Sequence, residues 1–222
     1  MTVYYELAHA AVSRRLCLLT GTGFSKAVTQ DAAPSWQELL ERLSDGLPNG
    51  SSVKAALFPS TGSPLALDEC AQVIQIELSK MNRSIYEEIA SLVRVLAPSG
   101  KTATIRKFFK TKGLKIVTTN YDKLAEQLAG EDSCLSVTRG LPVPRLNADV
   151  EVYHVHGSID KPRAMVVTSD DYFGFINSDS HLSRKLSTLL HENTVAIIGY
   201  SLSDANLKAI LSDYRRFARE YV

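Results

Sequence analysis

Three short, continuous apolar segments constrain the fold of this chain more than any other feature of its sequence. They are RLCLLT at residues 15–20, KIVTT at residues 115–119 and TVAIIGYS at residues 194–201. Because apolar and polar residues do not alternate in them, each is typical of a strand buried on both faces of a parallel sheet. Helical patterns lie between them, and further strands are indicated at CLSVT, VYHVH and AMVVT (residues 134–138, 152–156 and 164–168).

This alternation of buried strands and helices predicts an α/β fold. We expect a doubly wound, Rossmann-like, mainly parallel sheet with helices on both of its faces. The length of 222 residues suits one such domain with a large core. The sequence therefore predicts a single domain over residues 1–222, with a helical insertion at about residues 44–98.

Charge and cysteine content exclude several classes of protein. The chain has 25 Lys and Arg against 24 Asp and Glu, so no global charge attracts it to nucleic acid or to anionic lipid. Its cysteines, Cys17, Cys70 and Cys134, form no CxxC pair, which excludes a zinc ribbon and favours reduced thiols. With neither a signal peptide nor a long apolar run, we expect a cytoplasmic protein without direct contact with nucleic acid or membrane.

Four polar signatures follow predicted strands directly. They are GTGFS at residues 21–25, TTNYD at residues 118–122, HGS at residues 156–158 and GYS at residues 199–201. In open α/β sheets, ligands bind beyond the C-terminal ends of the strands. The shared location of these signatures predicts one ligand site at that edge of the sheet.

The first two signatures each allow a functional and a structural interpretation. Gly21 and Gly23 permit close approach of the backbone to a phosphate, but Lys26 stands where a dinucleotide fingerprint has its third glycine. A plain turn from strand to helix is the alternative. Asn120 and Asp122 are favoured helix caps, although one cap suffices and the other side chain is then left for a ligand.

The last two signatures are open in the same way. His154 and His156 are two positions apart on a predicted strand, so we expect their side chains on the same face of the sheet. A histidine at this place can act as a general base, or it can be packed and hydrogen-bonded at the edge of the sheet. A metal pair lacks an evident third ligand. Gly199 permits close approach of a ligand and Ser201 can donate to a phosphate or ribose, while Asp204 can simply cap the following helix.

Taken in this order, the four motifs resemble those of the sirtuin family, which are Gly-Ala-Gly-x-Ser, Thr-Gln-Asn-x-Asp, His-Gly and Gly-x-Ser. The spellings GTGFS, TTNYD, HGS and GYS are closer to the sirtuin-like branch found in bacterial antiphage-defence proteins. The resemblance extends roughly from Leu16 to Leu211. Two features depart from it: the zinc-binding CxxC pairs are absent, and APSWQELL replaces a Pro-Asp-Phe-Arg stretch. Both departures disfavour binding of acyl-lysine peptides and leave the NAD pocket unaffected.

The resemblance implies two catalytic residues. Asn120 would hold the nicotinamide ribose and help to place the attacking water, and His156 would act as the general base. Asp122 would hold the nicotinamide amide or support its loop.

The resemblance also implies the residues that bind the rest of NAD, which would be the substrate, with no metal required. The pyrophosphate would lie against Gly21, Thr22, Gly23 and Ser25, and Gly199 and Ser201 would line the adenosine side.

By this resemblance, the chain is expected to be an NAD+ hydrolase that releases nicotinamide and ADP-ribose and depletes NAD as an antiphage effector. Protein deacylation, ADP-ribosyl transfer and a non-catalytic nucleotide-binding module are the alternatives. Because constant activity would be toxic, we expect a regulatory domain or partner protein that senses infection, and a homo-oligomer. The charged C-terminal segment YRRFAREYV is compatible with the chain being the N-terminal effector part of a longer protein.

Overall fold

The sequence predicts a mainly parallel sheet, and among the residues that the structure describes the sheet has five strands, all of them parallel. The computed structural model of the protein describes residues 2–143, 148–176 and 181–200. The strands lie in the order β3-β4-β2-β1-β5, and each pairs in parallel with its neighbours. Their bounds are Leu16–Thr20 (β1), Leu114–Thr118 (β2), Cys134–Thr138 (β3), Val150–His154 (β4) and Thr194–Ile198 (β5). The fold is therefore Rossmann-like, with flanking helices.

The position of β1 within the sheet creates the crevice where the site lies. From β1 the chain passes to one side for β2, β3 and β4, and then crosses to the other side of β1 for β5. This reversal of strand order is the place where doubly wound sheets bind ligands. All five residues of β1 are buried, which explains its uninterrupted apolar sequence.

Helices cover both faces of the sheet. On one face Leu16 and Leu18 pack towards α1, α2 and α8, and on the other Cys17 and Leu19 pack towards α10. The helices are Val3–Val12 (α1), Thr22–Val28 (α2), Trp36–Asp45 (α3), Gly50–Leu57 (α4), Leu67–Ser79 (α5), Ile85–Arg94 (α6), Ala103–Phe108 (α7), Leu124–Ala129 (α8), Ser169–Ile176 (α9) and His181–Glu192 (α10). None of the helices in these ranges is both long and apolar enough to cross a membrane.

Helices α3 to α6 form a separate apolar cluster beside the sheet. Helix α3 begins with a capping box in which Ser35 Oγ accepts from the Glu38 amide at 3.2 Å and the Glu38 carboxylate accepts from the Ser35 amide. Helices α4, α5 and α6 lie within the range expected for the helical insertion. The cluster also takes in Tyr121, Met165 and Val167, and so it reaches the loops at the edge of the sheet.

Two predicted strands differ from the structure. AMVVT is not a strand: Met165 and Val167 fill the cluster of α3 to α6, and the segment meets the end of β4 through the Val166 amide, which donates to the His156 carbonyl at 2.8 Å. Its apolar run reflects burial in a loop, which periodicity does not separate from a buried strand. The strand expected at VYHVH begins two residues earlier and ends at His154. The last expected helix, from Asp204 onwards, lies outside the described residues.

Candidate active site

Strand register brings the four polar signatures side by side. Thr20, the last residue of β1, pairs with Thr118 on β2 and with Ile198 on β5, and Thr118 pairs with His154 on β4. The residues that follow these strand ends are those of the signatures. The expectation that they meet at one edge of the sheet is therefore met for their described residues, while Ser201 lies outside the described part of the chain.

The carboxamide of Asn120 is held by the first signature. Its Nδ2 donates to the Gly21 carbonyl at 2.9 Å and to Ser25 Oγ at 2.8 Å. The main-chain amide of Asn120 donates to Thr118 Oγ1 at 3.1 Å. These contacts fix the orientation of the side chain, so its oxygen has a defined direction.

Ser25 connects Asn120 to Asp122. Ser25 Oγ donates to Asp122 Oδ2 at 2.6 Å, while Asp122 Oδ1 accepts from the Leu124 amide at 3.1 Å in the first turn of α8. Asp122 therefore both caps α8 and supports the loop that carries Asn120. Burial raises the pKa of Asp122, and the hydrogen bonds from Ser25 and Leu124 offset part of that rise.

His156 lies against two aromatic rings of α9. Its imidazole meets Tyr172 and Phe175 edge-on, with centroid distances of 5.3 and 5.4 Å, and the residue is 3% exposed. Burial, assisted by the positive charge of Arg139, lowers the pKa of His156 from 6.5 to about 4. The ring is therefore neutral near pH 7, as a proton acceptor must be.

Gly157 allows the chain to turn away from the sheet after His156. Its φ is +82°, and a Cβ at this position would lie 2.9 Å from the Met165 Cα. A larger residue would both strain the backbone and collide with the neighbouring loop.

His154 has surroundings different from those of His156. Its Nε2 lies 2.8 Å from Glu126 Oε1 on α8, and its Nδ1 lies 3.2 Å from the main-chain oxygen of Asn120. The two histidines contact different helices because β4 ends at His154 and the chain then leaves the sheet. Within the described ranges, no group of three or more His, Cys, Asp or Glu side chains is arranged to hold a metal ion.

The glycines of the first and fourth signatures contact each other. The Gly23 amide donates to the Gly199 carbonyl at 2.8 Å, and a Cβ on Gly23 would lie 2.8 Å from the Gly199 Cα. Gly199 has a φ of +68°, and a Cβ there would lie 2.1 Å from the Phe24 nitrogen. These glycines allow the end of β5 to pack against the start of α2. The ligand contacts that the sequence predicts for them stay a prediction. Helix α2 begins at Thr22, so Gly21 alone forms the turn.

A pocket opens at this edge of the sheet, with one polar and one apolar side. Its polar side includes the predicted residues Thr22, Ser25, Asn120, Asp122 and His156. Its apolar side comes mainly from α3 and from α6 and the residues after it, and includes Trp36, Leu39, Val93 and Leu96.

Sequence reasoning did not identify this apolar side or Tyr172. Trp36 carried the one available signal, because it is the sole tryptophan and stands where the sequence departs from the sirtuin pattern. It meets Tyr121 edge-on, with ring centroids 6.0 Å apart. Val93 and Leu96 belong to an ordinary amphipathic pattern and carried no such signal.

The second, third and fourth signatures lie in a segment that matches a known protein family. Residues 114–221 match the SIR2-like domain family. The matched segment makes up just under half of the chain. The match includes Asn120, Asp122, His156 and Gly199, whereas the GTGFS signature precedes it.

The chain is also similar to curated bacterial proteins. It is 33% identical over 103 residues to "NAD(+) hydrolase ThsA" of Bacillus cereus (strain MSX-D12), which covers 44% of this chain and 21% of that protein. It is 35% identical over 108 residues to "NAD(+) hydrolase ThsA" of Enterococcus faecium, which covers 46% of this chain and 23% of that protein. The aligned region thus spans about a fifth of the length of these relatives.

Proposed function

We propose that this chain hydrolyses NAD+ at the bond between nicotinamide and ribose and releases nicotinamide and ADP-ribose. The observation that carries the proposal is the convergence of Asn120, Ser25, Asp122 and His156 on one pocket at the reversal of strand order. The names of similar bacterial proteins support NAD as the substrate and hydrolysis as the class of reaction.

Cleavage of the bond between nicotinamide and ribose needs few catalytic groups from the protein. Nicotinamide leaves as a neutral base from a cationic ring, and its departure builds oxocarbenium character on the ribose, as in glycoside hydrolysis. The protein has to hold the ribose, place a water molecule and shield the intermediate. Oriented polar side chains can do this without a metal.

In this proposal Asn120 holds the ribose and places the water. Its amide nitrogen is used by the Gly21 carbonyl and by Ser25 Oγ, so its oxygen is the atom offered to a ligand hydroxyl or to water. Asp122 accepts a hydrogen bond from Ser25 Oγ and so holds this hydroxyl, which in turn keeps the Asn120 carboxamide in one orientation.

His156 is the general base in this proposal. It lies on the pocket wall, and its lowered pKa keeps the imidazole unprotonated at neutral pH. The aromatic rings of Tyr172 and Phe175 hold the plane of the imidazole by edge contacts. A neutral, oriented imidazole can accept a proton from water or from a ribose hydroxyl.

The remaining contacts with NAD are assigned to the glycine-containing signatures. Thr22 and Ser25 line the pocket, and we assign them with Gly21 and Gly23 to the pyrophosphate. The adenosine side is assigned to Gly199 and Ser201.

We further propose that the reaction depletes NAD in a bacterial antiphage defence in the cytoplasm. A regulatory domain or partner protein that senses infection, and assembly into a homo-oligomer, would restrain the activity. Expression with His156→Ala in phage-challenged cells tests this role: protection and a fall in cellular NAD should both require His156. Protection by a protein that leaves NAD unchanged would contradict it.

The reaction itself is tested by chromatography of NAD incubated with the purified chain. Wild type should release nicotinamide and ADP-ribose in equal amounts, and Asn120→Ala and His156→Ala should not. Asn49→Ala and His9→Ala are matched controls, since both residues are exposed and lie outside the pocket.

The other outcomes separate the alternatives. Binding of NAD without cleavage, even with the regulatory partner added, would indicate a non-catalytic module. Transfer of ADP-ribose to protein, or loss of acyl groups from lysine, would indicate a different acceptor from water. Failure to bind NAD at all would contradict the assignment of the pocket.

A further inference from the structure

His154 is a buried polar side chain for which the proposed reaction has no direct use. It is completely buried at the end of β4, beneath the loop that carries Asn120. Its Nδ1 lies 3.2 Å from the Asn120 main-chain oxygen. Because a carbonyl oxygen only accepts, this contact requires a proton on Nδ1. His154 thus contacts the main chain of Asn120, a proposed catalytic residue, but does not line the pocket.

The other ring nitrogen is held by a buried carboxylate. His154 Nε2 lies 2.8 Å from Glu126 Oε1, and the same oxygen lies 2.6 Å from Lys123 Nζ and accepts from Ser136 Oγ at 2.8 Å. Burial raises the pKa of Glu126, but the charges and hydrogen bonds of His154 and Lys123 outweigh it and lower the pKa to about 2. Glu126 is therefore an anion that anchors the imidazole.

All the hydrogen bonds of this carboxylate use one oxygen. Glu126 Oε2 is buried and has no hydrogen-bond partner among the described residues. Two donors, Lys123 Nζ and Ser136 Oγ, converge with His154 Nε2 on Oε1.

Lys123 extends the cluster to the segment that follows His156. Its Nζ lies 2.7 Å from Asp160 Oδ2, and the Ile159 amide donates to the Tyr121 carbonyl at 3.1 Å. The cluster, which is buried at His154 and Glu126 and exposed at Asp160, therefore joins the loop of Asn120 to the loop that continues from His156.

From these contacts we propose that His154 is a positioning residue, which holds the Asn120 main chain through Nδ1 while Glu126 and Lys123 hold its ring. This proposal rests on the hydrolase function proposed above. The separation between Asn120 and His156 is then set by the cluster. A displacement of about 1 Å in such a site can cost about 100-fold in rate.

Two substitutions separate the contact with Asn120 from the contact with Glu126. The amide nitrogen of asparagine takes nearly the place of Nδ1, and that of glutamine nearly the place of Nε2. His154→Asn should keep the contact with the Asn120 carbonyl, whereas His154→Gln should lose it and keep the contact with Glu126. We expect kcat to fall about 10- to 100-fold in His154→Gln, with KM within about threefold, and to change much less in His154→Asn.

If His154 only stabilises the fold, the two variants should differ in another way. Loss of activity would then follow the loss of thermal stability in both variants, and the active fraction would keep the kcat of wild type. Equal kcat values for the two variants, per folded molecule, would overturn the proposal.

A second readout does not depend on NAD hydrolysis. In NMR spectra of the 15N-labelled chain, the side-chain amide of Asn120 should shift in His154→Gln and keep its position in His154→Asn. Unchanged Asn120 signals in both would overturn the positioning role. If wild type fails to cleave NAD while these shifts occur, the proposed reaction fails and the positioning role stands.

Discussion

Ser25 on α2 and Asp122 before α8 are 97 positions apart in the chain and are joined by a hydrogen bond of 2.6 Å. Ser25 Oγ also accepts from Asn120 Nδ2, so one hydroxyl connects both side chains of the TTNYD signature. This relation joins the end of β1 to the end of β2 and gives the pocket a fixed polar side.

Substitution Ser25→Ala should therefore affect both stability and activity. It leaves the buried Asp122 Oδ2 and the partly buried Asn120 Nδ2 without this partner, which costs about 1–3 kcal/mol. NAD cleavage should fall in kcat more than in KM, because Asn120 loses its fixed orientation. Chemical denaturation and steady-state kinetics measure the two effects. Ser52→Ala, at an exposed position of α4, should change neither; a Ser25→Ala protein with wild-type kinetics would contradict the role of this bond.

The loss of NAD cleavage in acid should occur at an unusually low pH. The pKa of His156 is lowered to about 4 from 6.5, so the base stays unprotonated until the pH approaches the lower value. We expect the acidic limb of kcat/KM for NAD to be centred near pH 4 rather than near pH 6.5, measured as far as the protein stays folded. An acidic limb centred near pH 6.5 in wild type and absent in His156→Gln would contradict the lowered pKa. It would show that the imidazole is more exposed to solvent than in the structure.

Glu126 should contribute stability that disappears in acid. Its folded pKa of about 2 lies below its ordinary value of 4.5, so the folded state binds the proton less readily than the unfolded state. The contribution is fully present above pH 4.5 and is lost as the pH falls towards 2. The free energy of unfolding of wild type should therefore drop more steeply over this window than that of Glu126→Gln. Parallel curves for the two proteins would contradict the stabilisation of the buried Glu126 anion by its contacts with Lys123 and His154.

The hydrogen bond between Tyr86 on α6 and Asp171 on α9 should stabilise the fold measurably. Tyr86 Oη donates to Asp171 Oδ2 at 2.9 Å, and the same carboxylate oxygen accepts from the Thr168 amide. Tyr86→Phe should lower the free energy of unfolding by about 1.5 kcal/mol, since the acceptor is charged. The matched control is Tyr4→Phe, where the side chain is 85% exposed and no change is expected. An equal effect in both variants would rule out a specific contribution from this bond.

Two helical glycines should respond to alanine in opposite directions. A Cβ on Gly23 would lie 2.8 Å from the Gly199 Cα, so Gly23→Ala forces α2 away from β5 and should cost about 1–3 kcal/mol. On α9, a Cβ on Gly174 would meet nothing within 4 Å, so Gly174→Ala should stabilise by about 0.5–1 kcal/mol. Thermal unfolding of the two variants measures the contrast. Stabilisation by both would mean that α2 and β5 are not in direct backbone contact.

Much of the architecture follows from local pattern. Uniform burial makes β1 and β2 continuous apolar runs, and the capping box at Ser35 and Glu38 marks the start of α3, because such preferences depend on neighbours in sequence. The parallel sheet follows in turn from the alternation of strands with helices. AMVVT shows the limit of this reasoning, since a loop buried by distant helices has the same apolar composition as a strand.

The four polar signatures can be read from the sequence as following strand ends, and this alone predicts that they share one edge of a parallel sheet. Which of their side chains meet follows instead from the packing of helices and loops across that edge. It directs His156 to the rings of α9 and His154 to Glu126, and it joins Asn120 to Ser25. The physical reason is that a strand's ending is set by local propensity, whereas a buried polar group takes its partner from whichever element packs across it.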